Sequence, residues 1–104
     1  MFTFLKKIIG GGNDVDYKTL LQQGAIVVDV RTPAEFNSGH IKGAINIPLD
    51  QVKSRSSELK KKNKIIITCC RSGTRSSMAK SILVSAGLEC YNGGGWQSLE
   101  NKIV

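Results

Sequence analysis

Residues 64–80 read KIIITCCRSGTRSSMAK. Ile65, Ile66 and Ile67 form an apolar run too short for a helix and typical of a buried parallel strand. The run ends at Thr68-Cys69-Cys70. Arg71, Ser72, Gly73, Thr74 and Arg75 follow, small, polar or cationic residues with one glycine for a tight turn. From Ser76 onward Ala79, Ile82, Leu83 and Ala86 recur at helical spacing, and Gly87 stops the helix. The unit is therefore strand, short loop, helix. Free N–H groups of such a loop and of the first helical turn converge in front of the strand end and make an anion site. Cys70 opens the loop and Arg71 and Arg75 flank it. A helix N-terminus with nearby cations lowers a thiol's pKa from its free value of about 8.5. Cys70 is thus the candidate nucleophile, facing a space suited to a small oxyanion. The structural alternative is a buried cysteine at a strand end.

Working outward, Asp16–Gln23 predicts a first short helix, with Asp16 as N-cap, Leu20 and Leu21 facing inward and Gly24 as stop. Ala25–Val30 predicts a second buried strand, apolar except at Asp29. Asp29 and Arg31 stand at its carboxyl end, which in a parallel sheet lies on the same side as the cysteine loop. Thr32-Pro33 starts a short helix closed by Asn37-Ser38-Gly39. Glu35 falls at the capping-box spacing from Thr32. It serves either that cap or the arginines of the loop, and the sequence leaves both open. Ala44–Ile47 predicts a short strand and Leu49–Leu59 a helix with Leu49, Val52 and Leu59 as its apolar residues. Leu88–Tyr91 predicts a last strand, Asn92-Gly93-Gly94-Gly95 a flexible turn near the site, and Gln97–Lys102 a terminal helix.

Composition bounds the function. A chain of 104 residues with 40% hydrophobic residues makes one domain with an ordinary core. The excess of 15 Lys+Arg over 8 Asp+Glu, a formal charge of +7, favours anionic partners without choosing among them. Lys60-Lys61-Lys62 and Lys64 read as a solvated turn. No aromatic residues interleave with them as a nucleic-acid platform requires, so no nucleic-acid partner is expected. The three cysteines, Cys69, Cys70 and Cys90, cannot all pair, and two are adjacent, so a disulfide framework is not expected and a reducing, cytoplasmic setting is. Cys90 is expected to be packing. The one histidine, His40, lies in a glycine-flanked turn and reads as structural. One histidine with scattered cysteines makes no zinc set, so neither a metal nor a cofactor is expected. Met1–Ile9 is too short and too interrupted by Lys6-Lys7 for a signal peptide, and no stretch approaches the length of a transmembrane segment. It is expected to be a lead-in, able to touch a membrane surface or partner, followed by a linker, so that residues 1–13 precede a single domain over 14–104.

Three stretches, in this order, resemble the rhodanese-like family. Val28-Asp29-Val30-Arg31-Thr32-Pro33-Ala34-Glu35-Phe36 with Gly39–Pro48 is similar to its amino-terminal signature. Cys70-Arg71-Ser72-Gly73-Thr74-Arg75-Ser76 is similar to its active-site loop, and Tyr91-Asn92-Gly93-Gly94 with Trp96 to its carboxyl-terminal element. The resemblance implies an α/β fold with a five-stranded, mostly parallel central sheet and helices on both faces. It implies a thiosulfate sulfurtransferase working through a Cys70 persulfide. A small anionic donor such as thiosulfate would lose its sulfane sulfur to Cys70, which passes it to cyanide, a thiol or a protein acceptor. Arg71, Ser72, Gly73, Thr74 and Arg75 would bind the donor, with Asp29, Arg31 and Glu35 behind them and Arg75 anchoring the loop against Asp29 or Glu35. Trp96 would wall the pocket or belong to the core.

Cys69 departs from the family pattern, which more usually has an aromatic or aliphatic residue there. Counted from Cys69, five residues separate the cysteine from Arg75, the spacing of a phosphatase or arsenate reductase loop. Gly73 sits where a six-residue loop from Cys70 wants its turn, and no aspartate is at hand as leaving-group acid. A third alternative is a module that relays sulfur or docks a partner without turnover.

Overall fold

The computed structural model describes residues 15–104. The lead-in, the linker and Asp14 lie outside the described residues. Five helices and four strands alternate along the described chain: α1 (Tyr17–Gln22), β1 (Ile26–Asp29), α2 (Pro33–Asn37), β2 (Ile45–Asn46), α3 (Leu49–Lys61), β3 (Ile66–Cys70), α4 (Thr74–Ser85), β4 (Cys90–Gly95) and α5 (Trp96–Ile103). The strands form one sheet in the order β2-β1-β3-β4, every pair parallel. Helices cover both faces, so the α/β class and the parallel sheet are as expected. The strand number is not. Reading residue by residue names four strands and four are found among the described residues. The fifth came from the family resemblance alone.

Side chains of successive strand residues leave opposite faces, and the core divides accordingly. Val28, Val30, Ile47, Ile66, Cys70 and Cys90 pack with Val52 and Leu59 of α3 and Ala79 and Leu83 of α4. Val27, Ile67, Cys69 and Tyr91 pack on the other face with Leu20 of α1 and Leu99 of α5. All five residues of β3 are buried, as a central strand requires. Cys90 is packing, as expected.

The local signals act as read. Asp16 caps α1, accepting from Thr19 N at 3.0 Å, and Gly24 takes a φ of +101° just past its end. Thr32 and Glu35 form the full capping box of α2, with Pro33 in its first turn. His40 is exposed, stacks on Phe36 with ring centroids 3.7 Å apart, and donates from Nδ1 to Phe36 O at 2.7 Å. That is the structural role expected of it.

The glycine run differs from the expected turn. Asn92–Gly95 is no flexible turn but the last four of the six residues of β4. A Cβ on Gly93 would lie 2.8 Å from Leu99 Cδ2 and 2.9 Å from Thr68 O, and one on Gly95 would lie 2.9 Å from Arg71 O. These glycines let β4 run flush against β3 and the loop after it. The β3–β4 pairing shifts register between Thr68 and Cys70, where β4 bends to follow that loop.

Candidate functional site

The site is built where β3 ends and α4 begins. Gly73 turns the chain with a φ of +109°, a left-handed conformation open to glycine and strained for other residues. The turn folds the loop back over Cys70. Gly73 N donates to Cys70 Sγ at 3.0 Å and Ser76 N donates to it at 3.4 Å. Burial pushes the Cys70 thiol up, but the Ser76 hydroxyl and amide and the amides of Gly73 and Ser72 outweigh it and bring the net value below that of an ordinary thiol. These donors favour a negatively charged sulfur at this position.

Cys69 has the opposite environment. It leaves the other face of the sheet and lies among Ile67, Ile41 and Leu99. Burial, with Asp29 nearby, pushes its thiol up to about 12. The amides converge on Cys70, so the six-residue loop is formed and the longer one counted from Cys69 is not.

The arginines divide. Arg71 is exposed, with no hydrogen bond or ion pair to another described residue, so its charge stands free at the loop. Arg75 donates from Nη1 to Glu35 Oε1 at 2.7 Å and from Nη2 to Glu35 Oε2 at 3.0 Å. Glu35 therefore does both jobs left open by the sequence, since its Oε1 also accepts from Thr32 N at 3.0 Å. The Arg75 guanidinium, followed by the Thr32 amide, holds the Glu35 carboxyl down at about 2. Ser72 and Thr74 are exposed at the loop surface.

Asp29 and Arg31 are both buried where β1 ends. They pair with each other in a buried fork, Arg31 Nε to Asp29 Oδ1 at 2.9 Å and Nη2 to Oδ2 at 2.7 Å. Arg31 also donates to Glu35 O and Gly39 O, and its guanidinium lies 4.8 Å from the Trp96 ring centroid. Trp96 is partly buried, packs against the core on this face of the sheet and covers this pair. A shallow cavity of about 330 Å³, lined by Val30, Thr32, Pro48, Leu49, Asp50 and Arg75, opens beside the loop.

Two polar residues at the site, both within the stretches quoted above, make contacts that local sequence does not show. Ser76 is fully buried beneath the loop, and its hydroxyl lies 3.4 Å from Cys70 Sγ. Asn92 Oδ1 lies 2.7 Å from that hydroxyl and also accepts from Gly94 N at 2.9 Å. Ser76 looks like an ordinary first-turn helix residue and Asn92 like a turn former. A usable signal was an asparagine directly before three glycines that a strand must bring close to the loop.

The fold and site define an α/β domain that presents one cysteine in an amide-lined turn at the carboxyl end of its central strand. The family model for the rhodanese-like domain matches residues 14–102, and the chain belongs to that family. The uncharacterized protein YqhL of Bacillus subtilis is 42% identical over 81 residues, 76% of this chain and 64% of YqhL. The thiosulfate sulfurtransferase PspE of Escherichia coli is 38% identical over 74 residues, 69% of this chain and 71% of PspE. Among solved structures, a rhodanese with anions from Escherichia coli superposes with a TM-score of 0.66 at 36% identity, covering 72% of this chain and 91% of that one. Among the described residues no helix is long and apolar enough to cross a membrane.

Proposed function

We propose that this domain is a thiosulfate sulfurtransferase that carries sulfur as a persulfide on Cys70. The observation that carries the reading is the convergence of the Gly73 and Ser76 amides on Cys70 Sγ, at 3.0 and 3.4 Å. The same donors that favour a thiolate favour a persulfide anion one atom further out. The thiosulfate sulfurtransferase PspE and the anion-bound rhodanese, both similar to this chain, support it.

The Cys70 thiolate attacks the outer sulfur of thiosulfate. The S–S bond of the donor breaks, its electron pair leaves on sulfite, and Cys70 keeps the sulfur. A nucleophilic acceptor, cyanide or a thiolate on a small molecule or a protein, then attacks the outer sulfur of the persulfide. The Cys70–sulfur bond breaks, its pair returns to Cys70 Sγ, and thiocyanate or a new persulfide departs. Arg71 and the loop amides hold the dianionic donor. Arg75, occupied by Glu35, holds the loop in shape. Three free cysteines are consistent with work in a reducing, cytoplasmic setting.

Intact mass spectrometry after incubation with thiosulfate tests the reading. The expected result is a gain of one sulfur that cyanide removes, absent in Cys70→Ser. No gain with thiosulfate, or a gain unaffected by that substitution, overturns it. A persulfide loaded from a protein donor but not from thiosulfate would instead identify a relay.

A further inference from the structure

Ser76 carries one hydroxyl proton and has three neighbours competing for it. Its Oγ lies 2.7 Å from Asn92 Oδ1, 3.1 Å from Gly73 O and 3.4 Å from Cys70 Sγ. The Asn92 amide is held in one orientation. Oδ1 accepts from Gly94 N at 2.9 Å, and Nδ2 faces Gly73 O at 3.4 Å. The Asn92 backbone is held as well, its carbonyl accepting from Tyr17 Oη at 2.8 Å. Asn92 Oδ1 and Gly73 O can both only accept, and Oδ1 is the nearer, so with Cys70 protonated the Ser76 proton points to Asn92 and the S–H group donates to the Ser76 oxygen. A charged sulfur can only accept. The hydroxyl must then rotate toward Sγ and leave Asn92 Oδ1 with Gly94 N alone.

We propose that Asn92 is a positioning residue that holds the Ser76 hydroxyl while Cys70 is a neutral thiol and yields it to the sulfur when the sulfur is charged. It rests on the reading of Cys70 as the sulfur-carrying thiol. When an acceptor takes the outer sulfur, the bond to Cys70 Sγ breaks with its electron pair on Sγ. The Ser76 O–H swings from Asn92 Oδ1 to Sγ as a hydrogen bond, and no proton is transferred. Asn92 thereby opposes ionisation of the resting thiol, and Ser76 stabilises the departing thiolate. The other titratable groups around Cys70 are Arg71 and Arg75 with its partner Glu35, the Asp29–Arg31 pair, Cys69 and Cys90. None of them is altered by the substitutions below.

The test is the pH dependence of iodoacetamide labelling of Cys70, read by peptide mass spectrometry on the full sulfur-free chain. Ser76→Ala should raise the labelling midpoint by about 0.5–1 unit, the loss of one hydrogen bond to the charged form. Asn92→Ala should lower it by a similar amount, and should leave it unmoved in the S76A background. A midpoint that rises or stays with N92A, or that shifts equally in both backgrounds, overturns the proposal. If N92A does not fold, Asn92→Asp keeps an acceptor for Gly94 N and tightens the hold on the hydroxyl. It should raise the midpoint more in the wild-type background than in S76A, and an equal rise overturns the proposal. Labelling is read without any sulfur donor, so this result and the sulfur-loading result fail independently.

Discussion

Arg75 and Glu35 meet in a two-pronged ion pair, 2.7 and 3.0 Å, that fastens the first turn of α4 to the capping box of α2. The pair joins the cysteine loop to an element 40 residues earlier in the chain. Arg75→Ala should therefore lose activity and also melt a few degrees lower, because it frees the loop and strips the Glu35 carboxylate of its partner. Full stability with only a weaker donor affinity would mean that Arg75 points at the ligand instead.

The same pair sets an acid limit. The folded Glu35 carboxyl sits below its ordinary 4.5, at about 2, so the stabilisation is complete above about pH 4.5 and is lost as pH falls toward 2. The melting-temperature gap between wild type and Glu35→Gln should be constant from neutral pH down to about 5 and close below that. A gap unchanged at pH 3 would show that the carboxylate gains nothing from Arg75.

Arg71 is the free charge at the loop. Arg71→Ala should leave the melting temperature unchanged and lower turnover at limiting thiosulfate about ten- to a hundredfold, the loss of one charge-assisted contact of roughly 1.5–3 kcal/mol. Unchanged kinetics at low donor would remove Arg71 from donor binding.

The two adjacent cysteines should behave as different chemical species. Iodoacetamide at mildly acidic pH should label Cys70 before Cys69 and Cys90, whose burial pushes both thiols up to about 12, and thiosulfate should protect Cys70. Cys69→Ser should retain most of the activity and lose some stability, because a hydroxyl replaces a thiol among apolar neighbours. An inactive C69S that is still folded, with hydrolysis of para-nitrophenyl phosphate by the wild type, would favour the phosphatase alternative.

Gly93 reports the packing of β4. Gly93→Ala places a methyl 2.8 Å from Leu99 Cδ2 and 2.9 Å from Thr68 O, and should cost about 1–3 kcal/mol in urea unfolding. A neutral result would mean that the glycines are a turn after all.

The sheet was legible because burial writes itself into composition. Val27, Val28, Ile66 and Ile67 could hardly be anything but buried strand. The loop was legible too, since Gly73 and the first helical turn fix where the amides must point, and alternation along β3 separates Cys70 from Cys69. The rest depended on distance rather than on neighbours in sequence. Gly93 and Gly95 read as a turn because their reason lies in Leu99, Thr68 and Arg71, which local composition does not reveal. Asp29 and Arg31 read only as residues behind the loop, because the carboxyl end of β1 adjoins it, and nothing in the local sequence shows that they pair with each other. The fork between them, covered by Trp96, turns them inward. The contacts of Ser76 and Asn92 stayed hidden because a serine in a helix and an asparagine before glycines each have a commonplace explanation.

The separation of the three cysteines has a consequence for how the protein is emptied. Cys69 leaves the opposite face of the sheet, and Cys90 pairs in register with Ile66, four residues or about 13 Å along β3 from Cys70. The chain contains no other cysteine. An oxygen or a sulfur placed on Cys70 therefore has no resolving thiol within reach in its own fold. If Cys70 carries sulfur as proposed, its discharge should be an intermolecular event, governed by the supply of outside nucleophiles. On that proposal a population starved of them should stay loaded, and a Cys70 oxidised by peroxide should go on to over-oxidation, or to a mixed disulfide where an outside thiol is present, rather than to an internal bridge.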